Sequence, residues 1–317
     1  MRIFKSRAIA NGACFLAVSC TLAAVVCCGP SASNVTVLRE DHCPVGGCVD
    51  ASVFDAGPIV IPPEPLENWD TSNEGPLSGI FAVEVTIDAR VVVPVRLKQL
   101  LRLRIVQQGT SIHEKTTMCA FKLPVVQNVA TLEIPPLLQQ VIASKSTEDQ
   151  GNYLSSAAVV SAAYTPPPFL VLVGANLQNP ATDPLPTMTD LTNATDDDHD
   201  GNPGVTLLAT VLTCATQQNL YVALRVSGVL AGTVLTPDVI SGKVNIGFDE
   251  SILGYSDPCL STAAQIHTAI NPGGSPFRAE RTSAADDVDG NGNVSCPELV
   301  AHVTELFPDW NDLTPGD

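Results

Sequence analysis

The sequence predicts a mainly β protein, an antiparallel barrel or sandwich with a few short helices and a C-terminal loop leading into a helix. Three observations point there. Apolar and polar residues alternate with period 2 in segment after segment; turns of hairpin length separate these segments; and helical periodicity is confined to short stretches.

In order along the chain, Phe81, Val83, Val85 and Ile87 alternate with Ala82, Glu84, Thr86 and Asp88, the pattern of a half-buried strand. Leu101, Leu103 and Ile105 alternate with Arg102 and Arg104, residues 107–111 supply a glycine-containing turn, and a further strand runs toward Phe121. Residues 135–144 place Leu137, Leu138, Val141 and Ile142 on one side of a short helix. Three prolines at 166–168 interrupt the chain before the apolar run 169–173, which reads as a buried strand. Residues 205–216 turn at 217–219 into a strand whose Leu220, Val222, Leu224 and Val226 share one face, and Val244, Ile246 and Phe248 repeat the alternation. Residues 261–270 are a second short helix candidate. Aromatic residues make up only 5% of the chain, which argues against an outer-membrane barrel with its aromatic girdles.

The first residues read as an export signal. Arg2, Lys5 and Arg7 precede an apolar run at 13–28, whose sixteen residues fall short of the ~20 needed for a membrane-spanning helix. Its Cys27-Cys28-Gly29-Pro30 ending resembles the lipobox of bacterial lipoproteins, which implies a lipid anchor on Cys28 and an outer-membrane, periplasmic or cell-surface location. Plain cleavage after Ser33 would instead release a secreted protein. Either route leaves Cys43, Cys48, Cys119, Cys214, Cys259 and Cys296, enough for three disulfides in an oxidising compartment. Cys43 with Cys48 could close a small loop, and Cys259 is the expected partner of Cys296. The chain therefore divides into a signal peptide (1–28), a flexible Pro/Gly/Ser-rich tether (29–76), an antiparallel β domain (77–258) and a C-terminal segment (259–317).

Charge narrows the partners. With 33 acidic against 16 basic residues the chain is ill suited to nucleic acid or to anionic lipid head groups, so membrane contact is expected only through a lipid anchor. Acid-rich surfaces suit hard cations, which take oxygen ligands.

One segment answers that description. Residues 287–298, Asp-Val-Asp-Gly-Asn-Gly-Asn-Val-Ser-Cys-Pro-Glu, resemble the EF-hand (EF-like or dockerin-like) calcium loop. The resemblance implies side-chain oxygens from Asp287, Asp289 and Asn291, a sharp turn at Gly292 and a main-chain carbonyl at Asn293. It further implies an inward Val294, a water-mediated contact at Ser295 and bidentate Glu298. Pro297 suits the first turn of an exiting helix striped by Leu299, Val300, Val303, Leu306 and Phe307, while Ser275-Pro276 could cap a short entering helix. A second acidic loop repeats the opening of the pattern. Asp196, Asp198 and Asp200 fall at its first, third and fifth positions, Gly201 at the sixth and Asn202 at the seventh; Pro203 and Leu207 depart from it. Ca²⁺ is the expected cofactor of both.

No nucleophile elbow, zinc helix or phosphate-binding glycine loop is present, and the five histidines lack metal spacing. The chain is therefore read as a non-enzyme with a structural or binding role, the alternative being a hydrolase with structural calcium. Gly79-Ile80-Phe81 resembles the Gly-x-Trp opening of lipocalins with Phe in place of Trp, which implies a carrier of a small apolar ligand as a rival function.

Overall fold

A computed structural model describes residues 69, 73–90, 93–126, 130–262, 268–271 and 274–315. The segments expected to be a signal peptide and, except for its end, a tether, including Cys28, Cys43 and Cys48, lie outside the described residues. No described helix is long and apolar enough to cross a membrane.

The described chain folds as one antiparallel sheet of thirteen strands. Strands β1 (Gly79–Arg90), β2 (Pro94–Gln108) and β3 (Ser111–Lys122) form a meander, joined at its far edge by β6 (Ser146–Asn152). On the other flank β10 (Gln218–Thr236) and β11 (Val239–Tyr255) make a long hairpin. Strand β13 (Ser275–Arg281) fits between β11 and β1 and joins the two halves. The free edge of β10 is paired in succession by β9 (Val205–Val211), β8 (Phe169–Val173) and β7 (Ala163–Tyr164), while β4 (Val125–Val126) and β5 (Ala130–Glu133) extend the sheet beyond β9. Strand β12 (Ala269–Ile270) pairs the end of β1.

This sheet curls until β6 meets β8. There the Thr147 side chain replaces the ladder: its Oγ1 donates to the Leu170 carbonyl and accepts the Leu170 N–H, both at 3.1 Å. A Leu154–Tyr164 bridge continues the seam. The result is a nearly closed barrel filled by the inward alternation expected from sequence: Phe81, Val83, Val85 and Ile87 on β1, with Leu101, Leu103 and Ile105 on β2.

Helix α1 (Pro136–Ser144) forms where expected and buries Leu138 and Ile142 against one end of the barrel. Two expectations need correction. Residues 275–281 form β13 instead of a helix entering the loop, because Ser275, Phe277 and Ala279 alternate inward and both edges find ladder partners. The second helix candidate, 261–270, has its centre at 263–267, outside the described residues; residues 261–262 form a turn after a 3₁₀ turn (Pro258–Leu260), and Ala269–Ile270 form β12. The sheet also runs past residue 258, since β12 and β13 come from what was read as a separate C-terminal segment.

Helix α2 (Cys296–Leu306) lies on the outer face of β2 and β3. Leu299, Val303 and Phe307 pack with Trp310 against Ala82, Leu100 and Ala120 in a second apolar cluster. Burying a Leu or Val side chain contributes about 1.5–3 kcal/mol, so this stripe holds the C-terminus to the barrel. Cys119 bonds Cys296 across 177 residues, and Cys214 bonds Cys259. The expected Cys259–Cys296 pairing is thus wrong. Cys119 sits at a bulge of β3 opposite Leu100/Leu101, which aims it outward at α2. Two disulfides fit an oxidising environment outside the cytoplasm.

Candidate metal centre

The loop expected to hold calcium starts just after β13, once Ser283 and Asp286 have closed a turn: the Ser283 N–H and Oγ donate to Asp286 Oδ2 at 2.6 and 2.8 Å. From Asp287 the chain wraps around its own carboxylates. Asp287 accepts the N–H groups of Asn291 (3.1 Å) and Gly292 (2.8 Å), one on each oxygen. Asp289 accepts the Asn291 N–H and side-chain amide, and Asn291 Oδ1 accepts the Asn293 N–H at 2.7 Å. Gly290 and Gly292 take φ of 68° and 81°, the left-handed region that a side chain would strain.

Glu298 returns to the loop from the first turn of α2. Its Oε1 accepts the N–H groups of Val288 and Asp289; its Oε2 accepts the N–H and Oγ–H of Ser295, both at 2.7 Å, in a capping box. Burial alone would push this carboxyl up, but these hydrogen bonds hold it below the usual Glu value. One carboxylate oxygen from each of Asp287, Asp289 and Glu298 lies within 4.8 Å of the others. Oxygens on opposite sides of a Ca²⁺ ion are about 4.6–5.2 Å apart, twice the usual 2.3–2.6 Å bond, so all three fit one ion.

Two expected donors have other work. Ser295 caps α2. Asn293 is only 4% exposed, and its side-chain oxygen accepts a hydrogen bond from Arg102 Nη2, which leaves its carbonyl as the atom the EF-like pattern assigns to the ion. Arg102 Nε also donates to the Val294 carbonyl at 2.7 Å. The arginine is 1% exposed and reaches the loop from β2, 192 residues earlier. It fixes the loop's inward side while Val294 packs in the apolar cluster beneath. Sequence reasoning missed it. Its place in the alternation puts Arg102 outside the barrel, and there it meets the loop instead of solvent.

The second acidic loop has the same opening geometry. Asp196 accepts the N–H groups of Asp200 (3.1 Å) and Gly201 (2.9 Å), as Asp287 does with Asn291 and Gly292. Asp200 Oδ1 accepts the backbone and side-chain N–H groups of Asn202, and Asp200 Oδ2 accepts from the Thr206 hydroxyl. Asn202 thus turns its amide nitrogen toward Asp200. Asp198 is buried, and its Oδ2 accepts the Thr206 N–H at 2.8 Å. Burial raises the Asp198 carboxyl above its usual value, with Asp200 and Asp196 adding repulsion, although the Thr206 bond opposes them. Asp196, Asp198 and Asp200 also bring one oxygen each within 4.8 Å.

A different feature lies at the α1 end of the barrel. A cavity of about 180 Å³ is walled by Leu132 of β5 and Ile134 just after it, Leu138 and Ile142 of α1, Leu207, Ala209 and Val211 of β9, and inward residues of β10 and β11. Glu250 and Thr268 are its polar lining residues, and they meet each other: the Thr268 N–H donates to Glu250 Oε1 at 2.7 Å.

Neither a protein-family model, nor a curated protein, nor a solved structure matches this chain.

Proposed function

We propose that this chain is a calcium-binding protein of the bacterial cell envelope, exported and held by a lipid on Cys28. One Ca²⁺ ion in the 287–298 loop would fix the C-terminal loop and α2 onto the outer wall of the barrel. The observation that carries this reading is the meeting of Asp287, Asp289 and Glu298 within 4.8 Å on a loop already turned around them. Main-chain amides orient the first two carboxylates, Arg102 orients the Asn293–Val294 side, and Cys296 ties the exit to β3. Three acidic donors oppose the two charges of the ion, which places the affinity in the weak class of roughly 10⁻⁵–10⁻³ M. Millimolar extracellular calcium suffices for that. The role we assign to the chain is structural or binding.

The test is isothermal titration of the mature protein and of Asp287→Asn with CaCl₂. The variant should lose one binding event with a dissociation constant in that range. A variant that binds as many ions as the native chain, as tightly, rejects the site. The anchor is tested by mass spectrometry of the mature N-terminus, where an unmodified start at Asn34 rejects lipidation.

The apolar cavity favours a second reading, a carrier of a small uncharged apolar ligand, in line with the lipocalin-like opening at Gly79–Phe81. An engineered apolar cavity of about 150 Å³ stays dry and accepts benzene, so 180 Å³ suits a molecule of about one ring. Benzene titrated into the methyl-labelled protein should shift Leu207, Val222 and Leu138 resonances. Shifts confined to exposed methyl groups would remove the carrier reading.

A further inference from the structure

We propose that Asp196, Asp198 and Asp200 form a second binding site for a hard divalent cation, Ca²⁺ by its chemistry, at the neck of the 174–204 excursion between β8 and β9. It stands on a different loop from the 287–298 site and does not depend on it.

The decisive observation is Asp198. It is 3% exposed, and its Oδ1 is buried with no hydrogen-bond partner. A buried carboxylate oxygen without a donor is costly, because it gives up water and receives nothing in return. Here the cost is compounded by the Asp196 and Asp200 carboxylates alongside. The nearby cation does not relieve it: Lys145 Nζ meets Asp197 Oδ2 at 3.3 Å, and that oxygen also accepts the Gly174 N–H. Asp197 is thus engaged by Lys145 and Gly174. A divalent ion among the three remaining carboxylates would supply the missing partner for Asp198 Oδ1. The donors are all oxygen, without imidazole or thiolate, which favours Ca²⁺ over zinc or copper.

The position gives the ion a task. Gly174 and Gly204 pass so close to β10 that a Cβ on either would lie 2.6 or 2.4 Å from the Val222 carbonyl oxygen. Asp196 is bridged to Gly204, and Asp198 and Asp200 both hold Thr206 at the start of β9. A cation here would pin both ends of the excursion. The excursion itself lies over β10 and β11, where Arg225 Nη1 donates to the carbonyls of Pro180 (3.1 Å) and Asp183 (2.7 Å).

Calcium titrations of the full mature protein, Asp198→Asn, Asp287→Asn and the double variant decide the matter by stoichiometry. Two ions in the native chain, one in each single variant and none in the double variant are expected. One ion lost in Asp287→Asn and kept in Asp198→Asn overturns this site and leaves the 287–298 site standing. One ion lost in Asp198→Asn and kept in Asp287→Asn supports this site and rejects the other. No binding at millimolar calcium rejects both. A melting curve accompanies each variant, and Asp196→Asn replaces Asp198→Asn should the latter not fold. Proteolysis gives a local readout: at calcium ten times the dissociation constant, cleavage within 175–203 should slow roughly tenfold. Equal cleavage with calcium and with chelator overturns the proposed role at the neck.

Discussion

Replacing Arg102 by Met tests how the loop is fastened to the barrel. Met keeps most of the apolar stem and removes the guanidinium. Two hydrogen bonds from a charged donor are then lost, one to the Val294 carbonyl and one to Asn293 Oδ1, both on residues 4% exposed. Each such bond contributes about 1.5–3 kcal/mol, and its acceptor would be left buried. Against this stands the relief of no longer burying a guanidinium, worth a few kcal/mol. The net expectation is a loss of roughly 3 kcal/mol. In a domain of this size that lowers the melting temperature by about 6–12 °C. The assay is calorimetric melting of both proteins with disulfides intact, in chelator and in millimolar calcium. The calcium-induced rise in melting temperature should also shrink, because a loop that is no longer held in shape must be ordered by the ion itself. Asn293→Ala on its own and combined with Arg102→Met closes a double-mutant cycle, whose coupling energy should exceed about 1 kcal/mol. A variant that melts with the native protein and gains as much from calcium would refute the reasoning, and the disulfide and α2 alone would then hold the loop.

Glu114 is buried within the barrel, where its Oε2 accepts from the Tyr164 hydroxyl, and burial raises its carboxyl from an ordinary 4.5 to about 7. The folded state therefore binds more protons than the unfolded one between these values, so stability is full below about pH 4.5 and falls by roughly 3 kcal/mol as pH rises through 7. Urea melts of Glu114→Gln should lack this pH dependence; an unchanged slope between pH 5 and 8 contradicts it. Removing the long-range disulfide with Cys119→Ala/Cys296→Ala should cost about 5 kcal/mol from the 177-residue separation, measured by denaturation. Gly204→Ala forces a Cβ against the Val222 carbonyl at φ of 90° and should cost more than about 3 kcal/mol, whereas Gly109→Ala, with open space around it, should cost only about 1 kcal/mol at its φ of 67°. Similar melting temperatures for the two variants would contradict the close packing of the neck.

The strands were legible because one face of each meets the core. Phe81 to Ile87, Leu101 to Ile105 and Leu220 to Val226 all point inward as their alternation requires. Strand β13 was misread because Ser275-Pro276 looks like a helix cap and because only two distant strands, β1 and β11, give its backbone a use. The acidic loops were legible as local patterns, since each position-one Asp hydrogen-bonds within five residues. What surrounds them was not. Arg102 and Cys119 reach the first loop from strands almost two hundred residues away, and no local pattern encodes such contacts. Burial of Asp198 is equally non-local: it comes from the excursion folding back on β10, fixed by two glycines that look in the sequence like ordinary turn residues.

A crystal structure of the mature protein grown in millimolar calcium tests the central claim most directly. The account predicts an ion at the 287–298 loop with oxygens of Asp287, Asp289 and Glu298 about 2.3–2.6 Å away, Glu298 having exchanged its bonds to Val288 and Asp289 for the metal. A loop with only water between these carboxylates, and Glu298 still bonded to the Val288, Asp289 and Ser295 amides, would contradict it.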